Sequence, residues 1–225
     1  MFKQITPRDR TTQTHTCTLH PHSSLLLLPD PVQPFAASHY TQHQRFHLPA
    51  DDSASLVVLD WVTEGRSARG EHWDLASFAS RNEFFIPRAG RAPRLLLRDA
   101  TVLARDAAGD LRGRMAAQTV FATLAIRGPR FERLETAILA KFRGEPRIGG
   151  RDFDGRGDSE CSGACSGGVA WTAARVRGFV LVKASGTQLE HVKTFFRDLL
   201  LLGGAHGGEG EVVAGFGEGA LLCLQ

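Results

Sequence analysis

Cysteine is scarce: four residues, at positions 17, 161, 165 and 223, serve a chain of 225. That density excludes the disulfide-stapled secreted scaffolds, whose small cores need covalent ties. No apolar run approaches the roughly 20 residues that span a bilayer. The opening MFKQITPRDR is polar and has no apolar core of signal-peptide length. These absences predict a soluble, cytoplasmic chain with no membrane association. Charge of one sign is lacking too. The 27 Lys and Arg stand against 24 Asp and Glu, and a formal charge of +3 without basic-aromatic stripes gives no reason to expect nucleic acid. Several catalytic signatures are also missing: G-x-x-x-x-G-K-[ST], a strand followed by G-x-G-x-x-G, G-x-S-x-G, and H-E-x-x-H. The expectation is a protein that is not an enzyme.

What is present suits a mainly β, α+β chain. With 42% hydrophobic residues it can bury a sizeable core without metal or disulfide, and a single domain over residues 1–225 is expected. Its 24 glycines and 10 prolines favour turns and short elements over long helices. Polar and apolar residues alternate through Gln13–His20 and again through Tyr40–Leu48, a strand pattern. Between them Pro29, Pro31 and Pro34 each remove a ladder donor, which predicts an exposed corner or edge. Ser55–Val62 (SLVVLDWV) reads as a buried strand, shorter strands follow at Phe84–Pro87 and Arg94–Leu103, and a turn falls at Ala107–Asp110. The first half is thus expected to be a β meander.

Beyond Phe131 the period changes. Phe131, Leu134, Ile138 and Phe142 share one helical face, and a second amphipathic helix is predicted from Gln188 to Leu201. Thr187 and Glu190 have the spacing of a capping box, and the glycines beyond Leu202 end the helix. Residues 148–168, rich in Gly, Ser and Asp, predict a flexible loop before the strands VAWTAARV and GFVLVKA. ALLCLQ at the end of the chain is expected to be a last strand.

That loop holds GRGDS, a string short enough to arise by chance, and Cys161 and Cys165 four apart. GACSG around Cys165 faintly resembles a thiol-nucleophile signature, so a cysteine-dependent hydrolase is the alternative from another function class. Its required upstream histidine base is not near in sequence. The two cysteines alone are also half of a tetrahedral zinc site. Histidines cluster early, six of nine between His15 and His47. On a strand His39, His43 and His47 share a face but stand roughly 13 Å apart per step, too far for one ion. His20 and His22, at roughly 7 Å on one side, are the better candidates for a weak metal-donor pair. The densest charged segment is Asp60–Trp73, with Asp60, Glu64, Arg66, Arg69 and Glu71. Asp60 lies within an apolar strand, where an ionised carboxylate costs several kcal/mol unless paired or hydrated. Either the segment closes on itself through a salt bridge of Asp60 or Glu71 to Arg66 or Arg69, or Asp60 lines a polar, water-filled passage.

LLPDPVQPF (Leu27–Phe35), then Tyr40, Gln42 and Gln44, then LDWVTEGRSARGEHW (Leu59–Trp73) resemble the urease accessory protein D family. LLLRDA (Leu95–Ala100), RGPRF, WTAARVRG and ALLCLQ continue the resemblance in order along most of the chain. Its motif positions here are Asp30, Pro31, Pro34, Trp61, Gly65, Arg66, Arg69, Gly70 and Trp73. The resemblance implies layered or helically stacked β-sheets with two helices toward the C-terminal half. It also implies a scaffold and conduit that binds apo-urease, recruits accessory protein F and through it the GTPase accessory protein G, and passes Ni²⁺ in transit with no tightly bound cofactor. Asp60 matches an acidic position of the family's nickel passage; Glu64 and Glu71 are added from their place in the string. Family members carry a β region with a Gly-Gly-x-x-x-Gly-Asp stretch before the point that Phe2–Gln4 resembles, so the chain is expected to be shortened at its N-terminus: either a fragment without function of its own, or a short form whose lost sheet leaves strand edges unpaired.

Overall fold

The computed structural model describes residues 10–105, 110–145, 165–166, 168–204 and 210–225. In chain order the elements are β1 (Arg10–Thr18), β2 (Ser24–Leu27), β3 (His39–His47), β4 (Ser55–Thr63), β5 (Ser77–Arg88), β6 (Arg91–Ala104), α1 (Leu111–Arg114), β7 (Val120–Arg127) and α2 (Glu132–Gly144). They continue with β8 (Cys165–Ser166), β9 (Val169–Val176), β10 (Phe179–Gly186), α3 (Leu189–Leu200), α4 (Glu211–Phe216) and a terminal 3₁₀ segment, Glu218–Leu224. The strands form a four-stranded sheet, β1-β3-β5-β6, and a six-stranded sheet, β2-β4-β7-β10-β9-β8.

The first five strands alternate between the two sheets, so β1, β3 and β5 pair in parallel, as do β2 and β4. The expected meander is therefore wrong, and the helically stacked, layered arrangement is right. Parallel neighbours need a crossover between them, and here each crossover is a strand of the facing sheet. The proline segment does sit at an edge: β2 flanks the larger sheet, and Val32 beyond it makes a single parallel bridge to Val62.

Three layers follow. The larger sheet carries α2, α3, α4 and the terminal segment on one face and the smaller sheet on the other. β4 is buried along its whole length, which is why its sequence reads as a continuous apolar run. Val57, Leu59 and Trp61 face the helices, with Phe196 edge-on to Trp61 at 6.4 Å; Leu56 and Val58 face the other sheet. Each such fully buried side chain contributes about 1.5–3 kcal/mol. Between the sheets the apolar packing divides in two. One block gathers Phe46, Leu56, Val58, Phe84 and Phe179. The other gathers Val62, Trp73, Phe78, Leu111 and Met115.

Both predicted helices form, with α2 preceded by a 3₁₀ turn at Pro129–Phe131. The capping box at α3 does not form. Gln188, not Thr187, is the N-cap, so Thr187 lies one residue early and Glu190 pairs with Lys193 instead. ALLCLQ is not a strand: Leu221 and Leu224, three apart, turn inward from a 3₁₀ segment packed on the α3 layer. Strand β7 was not expected, and β5 and β6 run well past the predicted stretches. Asp110 caps α1 by accepting from the Arg112 amide; the rest of the expected Ala107–Asp110 turn, Cys161, the GRGDS string and most of the 148–168 loop lie outside the described residues.

Candidate functional site

Strand parity sets the site. On β4 the even positions Leu56, Val58, Asp60 and Val62 point to the smaller sheet, so Asp60 falls between the two apolar blocks. Its cross-strand partner on β7 is Thr123, whose partner on β10 is Lys183, whose partner on β9 is Thr172. One polar rung therefore crosses four strands of the larger sheet. Facing it, the smaller sheet sets two rungs, Gln42–Ser80–Thr101 and Gln44–Asn82–Asp99. A polar stratum thus separates the apolar blocks.

Asp60 is 8% exposed and accepts three hydrogen bonds, all from neutral side chains of the facing sheet. Gln42 Nε2 donates to Oδ1 at 3.1 Å, and Ser80 Oγ and Asn82 Nδ2 donate to Oδ2 at 2.6 and 2.7 Å. No arginine reaches it among the described interactions; of the expected internal pairings it is Glu71, not Asp60, that meets Arg66. Burial pushes its carboxyl above the usual carboxylate range and the charge of Asp99 adds to this, while the Ser80, Asn82 and Gln42 donors pull it back. Tyr40, whose hydroxyl donates to Gln13 Oε1 at 2.6 Å, is itself raised by burial and by the Asp60 charge.

Asp60 opens onto a cavity of about 410 Å³ between the sheets, bordered also by Thr101, Thr123, Thr172 and Lys183. The Lys183 ammonium donates to Asp99 Oδ1 at 2.6 Å and to Thr123 Oγ1 at 3.3 Å. Asn82 Oδ1 and Asp99 Oδ2 are buried and accept no hydrogen bond. Such a set of hydroxyl, amide and carboxylate oxygens suits a hard or borderline cation. No cluster of three or more His, Cys, Asp or Glu able to hold a metal occurs among the described residues, so a closed tetrahedral site is not built here.

The other predicted residues lie apart from this stratum. Glu71 is clamped by Arg66, whose Nε donates to Oε2 at 2.9 Å and whose second nitrogen reaches Oε1; the pairing holds the Glu71 carboxyl below its usual range. It also accepts from the Ala36 amide, so it ties the two family strings together. Glu64 pairs with His72 Nδ1 at 2.8 Å and borders a smaller cavity of about 220 Å³ with Gln33 and Thr119. Gly65 adopts φ +123 and packs under the Pro34 carbonyl, and Gln33 Nε2 donates to the Gly65 carbonyl. Trp61 Nε1 donates to the Pro29 carbonyl and Trp73 Nε1 to that of Gln118. Arg69 ends a 3₁₀ turn closed by Gly70 in the left-handed region. Pro31 is half-buried and Asp30 exposed, its charge adding to the burial that raises the Cys223 thiol. His20 and His22 do not share a strand face. Both are exposed in the turn between β1 and β2, where His22 takes a positive φ that breaks the strand period. His39, His43 and His47 do line one face, each with its own contact: Ser77, Glu83 and the Phe85 ring. Cys165 pairs through its backbone with Ala170.

Sequence reasoning missed Asp99, Thr123 and Lys183. A signal existed in VLVKA: with Val180 and Val182 packed toward the helices, parity turns Lys183 toward the facing sheet.

The family model described as UreD urease accessory protein matches residues 2–211. An uncharacterized UreD-like urease accessory protein of Schizosaccharomyces pombe is 29% identical over 204 residues, covering 88% of this chain and 67% of its own length. The urease accessory protein UreD of Sorangium cellulosum is 38% identical over 176 residues, 78% of this chain and 48% of its own. Urease accessory protein 4 of Cryptococcus neoformans var. grubii is 38% identical over 120 residues, 50% and 37%. The matches thus span from 37% to 67% of these relatives' lengths.

Proposed function

The chain belongs to the UreD urease accessory protein family, and from that premise we propose that it acts without catalysis as a scaffold and conduit for Ni²⁺ on its way into apo-urease. In this reading it works in the cytoplasm, in a complex with accessory proteins F and G, the latter a GTPase. The observation that supports it best is the Asp60 carboxylate, buried in an apolar strand yet opening onto a cavity whose largely apolar wall, with Val62, Phe78 and Phe121, also carries the hydroxyls of Thr101, Thr123 and Thr172. A conduit must hold its cargo weakly enough to release it. Isolated oxygen donors do this, whereas convergent thiolates or imidazoles would trap the ion. No helix among the described residues is long and apolar enough to cross a membrane.

The test is urease activation in a host deleted for its own accessory protein D. The chain is expected to co-purify with urease or accessory protein F and to restore activity. Asp60→Ala is expected to lower nickel loading several-fold while the complex still assembles. Failure of the full-length gene to rescue, or full nickel loading with Asp60→Ala, would refute the reading at the level of the protein or of the residue respectively.

A further inference from the structure

We propose that the Lys183 ammonium is a built-in surrogate cation, which an incoming divalent ion displaces from the Asp99 end of the inter-sheet stratum. This rests on the conduit reading above and names what governs entry to it. The ammonium sits against Asp99 Oδ1 and Thr123 Oγ1, two oxygens of the same stratum as Asp60. Its stem can move: the Lys183 side chain is 47% exposed, while that of Asp99 is 13% exposed. Lysine is a point charge on four flexible carbons, so the head can swing into water with little loss. Asp99 cannot follow it out.

What the ammonium would leave behind is a partly assembled oxygen site. Asp99 and Asn82 are directly opposed across β5 and β6, and each already presents a buried oxygen without a hydrogen-bond donor, Asp99 Oδ2 and Asn82 Oδ1. Asn82 is only 4% exposed, so water does not readily serve that oxygen. Together with Asp99 Oδ1 and Thr123 Oγ1, vacated by the ammonium, they supply oxygen donors of the kind divalent cations take.

Charge then selects the ion. With Lys183 in place, the formal charges of Asp60, Asp99 and Lys183 leave one negative charge in the stratum. A monovalent ion that displaced the ammonium would leave the same balance and gain nothing. A divalent ion neutralises both carboxylates while the ammonium moves to solvent. Lys183 therefore raises the threshold for Na⁺ and K⁺ and weakens, without abolishing, the hold on Ni²⁺. It also supplies the returning group that expels the ion when a better acceptor is offered.

Equilibrium dialysis of the purified chain against Ni²⁺ tests this, because all variants share the same surface histidines and any difference arises in the stratum. Lys183→Met removes the competitor and is expected to tighten one class of Ni²⁺ site on the order of tenfold, as loss of a nearby like charge implies. Lys183→Arg keeps the charge and should bind like the parent or more weakly. Lys183→Met/Asp99→Asn should lose the gain. Lys183→Gln, which also removes the charge but keeps all the proposed oxygen donors, should show a gain of the same sign and serves if Lys183→Met does not fold. Unchanged or undetectable binding in both Lys183→Met and Lys183→Gln, or a gain that survives Asp99→Asn, overturns the proposal. The urease-activation test reads the conduit separately. Should urease activation fail while Lys183→Met still tightens Ni²⁺, the conduit falls and the displaceable cation site stands; full loading with Asp60→Ala removes only the part given to Asp60.

Discussion

Asp60→Asn keeps the size of the side chain and removes its charge, so it isolates the cost of burying a carboxylate against three neutral donors. With its oxygen in the place of Oδ2, asparagine still accepts from Ser80 and Asn82. Its amide then meets Gln42 Nε2, and a flip of the Gln42 amide turns that contact into an acceptor; Tyr40 keeps its stronger partner, Gln13, at 2.6 Å. Exchanging charge-assisted for neutral hydrogen bonds loses about 1 kcal/mol each, some 2–3 in all. Relief from desolvating the ion recovers several kcal/mol. The variant is expected to match the parent or exceed it near neutral pH, by up to about 5 °C in Tm for a chain of this size. The pH dependence carries the sharper test. The folded carboxyl is raised above its ordinary value of 3.8, so the stability it contributes is fully present below that value and is lost as pH rises through the folded pKa. The parent suffers that loss and the variant does not, so the Tm difference should grow as pH rises above the ordinary carboxylate value and level off beyond the folded pKa. Asp99, Lys183 and Tyr40, the other titratable groups of the stratum, remain in both proteins and largely cancel. Far-UV circular dichroism melts over this range measure it. A flat difference, or one in which the variant falls behind as pH rises, would mean that the three donors outweigh desolvation.

Gly65→Ala places a Cβ 3.0 Å from the Pro34 carbonyl oxygen at φ +123; the strain costs about 1–3 kcal/mol and should lower Tm by several degrees. A melt within one degree or so of the parent would show that the two strings do not constrain one another there. Glu71→Gln releases Arg66 and should speed trypsin cleavage after Arg66 and Arg69 several-fold at neutral pH. Because the folded Glu71 carboxyl is held below its ordinary 4.5, its contribution is present above that value and lost as pH falls through the folded pKa. The stability gap between variant and parent should close in acid, and cleavage at parental rates at neutral pH would refute the clamp.

Legibility followed burial chemistry. β4 and both long helices stood out because each buries an apolar face with its own period. The N-terminal half of β5 did not, because its inward positions are Phe78, Ser80, Asn82 and Phe84: two polar side chains break the apolar alternation where the strand faces the stratum. β7 was hidden likewise by Thr123, and Lys183, in the middle of β10, carries no local mark that sets it apart from a surface lysine. The residues that form the site are thus the ones that conceal its strands. Pairing between the sheets was illegible for another reason. Turn chemistry marks where the chain leaves a strand, and nothing local marks whether the next strand pairs beside it or lies across the core.

The stratum is also the place where this fold departs from the arrangement that stability alone would favour. Two buried acceptors without donors cost about 1–3 kcal/mol each, and a desolvated carboxylate adds several more. Their sum is of the order of the entire 5–15 kcal/mol by which folded domains are stable. Leucine or valine at Asp60 and Asp99, continuing the packing of Val58 and Leu97 on the same strands, would join the two apolar blocks into one core. A purely structural scaffold has no use for the interruption, since replacing buried ionic groups with well-packed apolar ones is often neutral or stabilising. Local rules broken together, on facing strands and around one cavity, are expected at functional or strained sites. Under the conduit proposed above, the polar rung from Asp60 to Thr172 is the part of the sheet that gives up stability for the passage of ions.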